Sequence, residues 1–109
     1  MRRAEVYRNG ILAGELTQVS GSEYIFTYNK SYLADSSTLP ISLTMPKREL
    51  EYRSDHLFPF FFNMLAEGVN RKLQSRFLKI DEHDYFGLLM ETARYDTAGA
   101  ITVNPIDQR

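Results

Sequence analysis

Two histidines and a short acidic run are the residues whose types could do chemistry. His83 lies inside Asp81-Glu82-His83-Asp84, and His56 precedes an apolar run. Imidazoles and carboxylates can hold a divalent metal or move protons, but ligation needs side chains that converge on one point. Consecutive residues at a helix start diverge, and acids there are favoured by capping and by the helix dipole, so the run reads as a helix N-terminus. None of the six glycines forms a phosphate-binding G-x-G-x-x-G or Walker-type loop. Cysteine is absent, which removes disulfides, thiolate metal sites and cysteine nucleophiles and fits a reducing, cytoplasmic setting. No catalytic, cofactor or metal residues are assigned, and enzymatic activity within this chain is not expected.

Two features suit binding instead. Lys72, Arg76 and Lys79, with Arg71 adjacent, give one helix a basic face. A formal net charge of −1, from 13 Lys and Arg against 14 Asp and Glu, argues against nucleic-acid affinity driven by bulk charge. The run Leu57-Phe58-Pro59-Phe60-Phe61-Phe62-Asn63-Met64-Leu65-Ala66 is apolar on both faces of a helix. Phe58, Phe61, Phe62 and Leu65 take the core spacing, which leaves Phe60 and Met64 as candidates for an interface.

The elements that position these residues follow from pattern. Asn9-Gly10 between apolar flanks predicts a hairpin with strands near 4–8 and 11–17. Ser20-Gly21-Ser22 turns the chain into a third strand, Glu23 to Tyr28. Asn29 to Asp35 reads as a turn or a single helical turn. Leu39 to Pro46, bracketed by prolines, reads as a sheet edge or extended loop, and Glu49 to Arg53 as a further edge strand. A helix over 57–66 is capped by Asp55, and Glu67-Gly68 ends it. A second helix buries a stripe of Val69, Leu73, Phe77 and Ile80. A third, capped by Asp81, turns Phe86, Leu89, Met90 and Ala93 inward. Gly99 to Val103 is a closing strand and Asn104 to Arg109 a frayed end. Strands first, helices after and one strand returning indicate one α+β domain over 1–109, a small antiparallel sheet packed with about three helices. No stretch is long and apolar enough to span a bilayer, and the amino terminus lacks the apolar core of a secretory signal.

The order of motifs points further. Val6-x-x-Asn9-Gly10-x-Leu12-Ala13-Gly14-x-Leu16 is followed by Phe26-x-Tyr28 and Pro40-Ile41-Ser42-Leu43-x-Met45-Pro46. Then come Leu57-Phe58-Pro59-Phe60-Phe61-x-Asn63-x-Leu65-x-Glu67-Gly68, Phe86-Gly87-Leu88-Leu89 and Asp96-x-x-Gly99-Ala100. From about residue 4 to residue 105 this series resembles the amino-terminal subdomain of the HipA toxin kinase family, and within it the small HipS-type proteins of tripartite HipBST toxin–antitoxin systems. Ala66 stands where relatives usually have proline, Val69 where stand-alone relatives often carry tryptophan, and Arg94 and Tyr95 where many have a glycine-containing turn.

The resemblance implies an antitoxin subunit that binds and neutralises a separate HipA- or HipT-type serine/threonine kinase lacking this subdomain. It implies a HipB-type protein as the DNA-binding member of such a complex, with no direct nucleic-acid or membrane contact for this chain. A non-inhibitory subunit that completes the kinase is the alternative, and a DNA-binding module using Lys72, Arg76 and Lys79 a third. The turn Glu67, Gly68, Val69, Asn70 and Arg71, with Phe60 and Met64, is the expected partner contact.

Overall fold

The computed structural model describes residues 1–93 and 100–106. Strands β1 (Arg2–Arg8), β2 (Ile11–Ser20) and β3 (Glu23–Tyr28) form the expected meander. Asn9 and Gly10 turn the first hairpin with φ of 51° and 79°, the left-handed pair that matches strand twist. A short helix α1 (Lys30–Ala34) follows, capped by the Asn29 side chain, which accepts from the Ser31 amide. The proline-bracketed segment is an irregular loop leading to β4 (Glu51–Ser54). Helices α2 (Pro59–Phe62), α3 (Gly68–Leu78) and α4 (Tyr85–Thr92) precede β5 (Ile101–Pro105). The sheet is antiparallel throughout, in the order β4-β3-β2-β1-β5.

Alternation along the strands sends Ala4, Val6, Leu16, Phe26, Tyr28, Ile101 and Val103 to one face, where all are buried. A helical layer made of Phe58, Phe61, Leu65, Phe86, Leu88, Leu89 and Ala93 covers them. β2 carries one extra residue, Ala13, where the register with β1 shifts between Val6 and Tyr7. That bulge leaves the Ala13 carbonyl to accept the Asn29 amide at 2.8 Å, which fixes the entry to α1. Three tyrosines hold the proline loop against the sheet. Tyr28 donates to the Met45 carbonyl and accepts from the Ile41 amide, Tyr32 donates to the Leu39 carbonyl at 2.5 Å, and Tyr52 to the Pro46 carbonyl at 2.6 Å. Burial pushes the Tyr28 phenol above its ordinary pKa, so it stays a neutral donor.

Several expectations are corrected. The helix over 57–66 is only one turn, Pro59–Phe62, and its N-cap is Phe58 rather than Asp55. After it the chain tightens into bonds from Met64 to Phe61 and from Leu65 to Phe62, which keeps Phe61 and Leu65 pointing inward without a full helix. Phe62 is half-buried rather than core. The cap of α4 is Asp84, not Asp81; the Asp81 carboxylate instead accepts the His83 amide at 2.8 Å. Leu88 is fully buried and Met90 only partly. Asn104 and Pro105 pair with Glu5 and Ala4 instead of fraying. Gly99, Asp96, Arg94, Tyr95 and residues 107–109 lie outside the described residues.

Asp84 also ties the helical layer to the first strand. Arg2 donates to it from Nη2 at 2.6 Å and from Nη1 at 3.1 Å, while its Nε donates to Gln18 Oε1 at 2.8 Å and its guanidinium lies 5.2 Å from the centre of the Phe86 ring. The hydrogen bonds from Arg2 hold the Asp84 carboxyl below its ordinary pKa, more than desolvation raises it. A depressed carboxylate stabilises the fold above its unfolded pKa, about 3.9, and that contribution disappears as pH falls through the folded value. Asp84→Ala removes cap and ion pair together and is expected to cost about 1–2 kcal/mol in urea unfolding at pH 7. Asp84→Asn should flatten the loss of Tm between about pH 5 and pH 3 relative to wild type, as thermal unfolding at each pH would measure.

Candidate partner-binding surface

Helix α3 differs from every other element of the layer, because none of its residues is buried. The apolar stripe expected to pack inward faces solvent: Val69 is 71% exposed, Leu73 58% and Phe77 87%. Only Ile80 of that stripe packs against the core, after Lys79 reverses the chain at φ 58°. The inner side of α3 is instead Arg71, Gln74, Ser75 and Leu78, all half-buried. The reason is Arg71. Its guanidinium sits 5.5 Å from the centre of the Phe62 ring and 5.4 Å from that of Tyr85, themselves edge to face at 5.0 Å. This cation–π clamp joins α2, α3 and α4 and sets the rotation of α3. At about 100° per residue, seating Arg71 inward puts Val69, Leu73 and Phe77 outward.

The start of α3 is weakly held. Glu67 is its N-cap residue but makes no side-chain cap bond, and Gly68 follows at φ 54°, a left-handed conformation that glycine adopts without strain. The residues expected to form a contact turn between two helices are instead the cap and first turn of α3: Glu67, Gly68, Val69 and Asn70 are exposed and Arg71 is half-buried. Phe60 and Met64 are half-buried and pack against the core, Phe60 with its ring 5.2 Å from Phe61. Two recesses open on the helical layer. One of about 270 Å³ is lined by His56, Leu57, Pro59, Phe62, Asn63 and Tyr85. The other, a groove of about 490 Å³ between α3 and α4, is lined by Leu73, Gln74, Phe77, Leu78, Glu91 and Thr92.

Among the described residues no group of three or more histidine or acidic side chains could hold a metal, and no helix is long and apolar enough to cross a membrane. His83 and Asp81 are both exposed, with His83 Nδ1 3.5 Å from the carboxylate. What the surface offers is apolar area with a charged border, the makeup of a protein contact.

The sequence model of the HipA N-terminal domain matches residues 4–104. The chain belongs to the HipA N-terminal domain family. It is 32% identical over 108 residues to "Putative kinase Y4mE" of Sinorhizobium fredii, an alignment that covers 99% of this chain and 26% of that protein. It is 28% identical over 103 residues to an uncharacterized protein of Haemophilus influenzae, covering 94% of this chain and 92% of that one. Among solved structures, the N-terminal domain of HipA toxin superposes with a TM-score of 0.72 at 24% identity, over all of this chain and 96% of the other, which establishes the shared fold. The region matched is the N-terminal domain, and the chain spans about a quarter of Y4mE.

Sequence reasoning missed the outward course of the α3 stripe. The signal was present: Lys72 and Arg76 lie about 60° and 20° from Val69 around the helix, beside the apolar residues rather than opposite them. A helix packed through Val69, Leu73 and Phe77 would bring those cations against the body. Leu73→Ser and Phe77→Ser should each change the unfolding free energy by less than about 0.5 kcal/mol, whereas Phe61→Ala should cost about 3–5 kcal/mol. Urea unfolding of the three variants distinguishes an external stripe from a core one.

Proposed function

We propose that this domain binds a HipA-type kinase that lacks its own N-terminal domain and neutralises it by protein–protein contact, as an antitoxin subunit acting in the cytoplasm. The observation that carries this reading is the largely exposed apolar stripe of α3, in a chain matched to the HipA N-terminal domain over residues 4–104. Three exposed apolar side chains on one helix are costly to leave in water, and covering them offsets the entropy lost on association. A specific interface buries roughly 1,600 Å² around a few apolar anchors. Val69, in the first turn of α3 with Gly68, Asn70 and Arg71 and next to the Glu67 cap, is the leading anchor, with Phe60 and Met64 as further contact candidates. The chain acts by contact and not by catalysis.

A second reading has its own support. In Y4mE the matched region is only 26% of a longer chain, so this domain can also be part of a kinase-named protein. There it would complete the fold rather than inhibit. Co-expression with a HipA-type kinase lacking the domain separates the two: restored growth supports neutralisation, and enhanced toxicity supports completion. Val69→Asp should leave the circular dichroism spectrum and Tm unchanged and weaken kinase binding roughly tenfold or more in calorimetry. Unchanged affinity would remove the turn from the interface.

A further inference from the structure

The cations of this chain are unevenly placed. Thirteen basic residues are outnumbered by fourteen acidic ones overall, yet α3 carries Arg71, Lys72 and Arg76, ends on Lys79, and contains no acid between Gly68 and Leu78. Arg71 is occupied by its aromatic clamp. Lys72, Arg76 and Lys79 are exposed, and among the described residues no carboxylate forms an ion pair with them. Arg76, in the last turn, and Lys79, at the C-cap, lie where the helix dipole favours cations, whereas Lys72 sits mid-helix and gains nothing from it. The dipole thus favours two of the three and pairs none of them with a carboxylate. The position of the row suggests a use, because Lys72 and Arg76 run parallel to Val69, Leu73 and Phe77 as an adjacent stripe on the same outer face.

We infer that α3 docks onto an apolar strip of the kinase bordered along one side by a row of carboxylates, which meet Lys72 and Arg76 while Val69, Leu73 and Phe77 cover the strip. This rests on the kinase-binding reading and specifies the chemistry of the surface bound. The two stripes demand different partners side by side: carboxylates match the cations, and only an apolar surface covers Phe77 and Leu73. A phosphate backbone would satisfy Lys72 and Arg76 and leave the apolar stripe wet. A one-sided border also fixes orientation, since rotating the domain by half a turn in the contact plane would carry the carboxylates away from Lys72 and Arg76 and over the groove between α3 and α4.

The test uses the full chain and a HipA-type kinase lacking its N-terminal domain, titrated calorimetrically at about 50 and 300 mM salt. Lys72→Glu/Arg76→Glu is expected to weaken binding roughly 30-fold or more at low salt and to reverse the salt dependence, because salt then screens repulsion instead of attraction. Lys30→Glu, on α1, should leave affinity within about threefold. Leu73→Ser is expected to weaken binding about equally at both salt concentrations. Binding that survives the double charge reversal within threefold overturns this inference while leaving the kinase-binding reading intact; absence of any binding by the wild-type chain overturns both. Binding of the isolated chain to duplex DNA or to phosphatidylserine vesicles that competes with the kinase and depends on Lys72 and Arg76 would also overturn it. Every variant here changes an exposed residue, and unchanged Tm values confirm that the effects are at the surface.

Discussion

The Asp84 carboxylate does three things at once, and the layered fold depends on their coincidence. It accepts from two nitrogens of Arg2, it accepts the Gly87 amide that α4 would otherwise leave unpaired, and it faces the Phe86 end of the helix over which Arg2 lies. The first strand and the last helix are thereby joined by residues 82 positions apart. Everything downstream follows the placement of α4: Phe86, Leu88 and Leu89 close the core, and the Ala93 carbonyl accepts the Val103 amide at 2.7 Å, drawing in β5. A charge-assisted pair at a helix N-terminus is suited to this role, because the dipole and the guanidinium favour the same ionised state.

Once α4 is fixed, the layer has room for only part of α3. The Arg71 clamp between Phe62 and Tyr85 occupies the inner side, and it leaves Arg71 Nε and Gln74 Oε1 buried without hydrogen-bond partners among the described residues. Each such group costs on the order of 1–3 kcal/mol. A helix with an uncapped start, a left-handed first residue, unpaired inner polar atoms and an apolar outer face is poorly optimised for an isolated domain. Those features fit a segment whose best environment includes a second protein.

The sheet edges are less inviting to a partner than this helix. The outward amide of Val103 on β5 is taken by Ala93, and Pro105 has no amide to offer. At the other edge, β4 is four residues long and carries Glu51 and Arg53, which pair with each other and with Glu23. Short, charged and proline-blocked edges resist strand addition. Exposed apolar side chains also occur at Leu39 and Leu43 of the proline loop, but α3 carries three in a row along one helix face, Val69, Leu73 and Phe77.

The sequence alone determined the meander, its Asn9-Gly10 turn and the inward course of Phe58, Phe61, Phe86 and Leu89, and narrowed the segment after Asn29 and the proline-bracketed segment to two alternatives each, because strand alternation, helical spacing and turn chemistry act between near neighbours. The turn expected over Glu67 to Arg71 is instead the cap and first turn of α3. Tertiary structure decided the rest. Asp84 rather than Asp81 caps α4 because Arg2, 82 residues away, selects it; α2 stops at Phe62 because the turn that follows is what seats Leu65. The burial of α3 was decided the same way. Periodicity reports that a helix has an apolar face and says nothing of what covers it, and only the contact of Arg71 with Phe62 and Tyr85, residues on two other helices, turned Val69, Leu73 and Phe77 toward solvent.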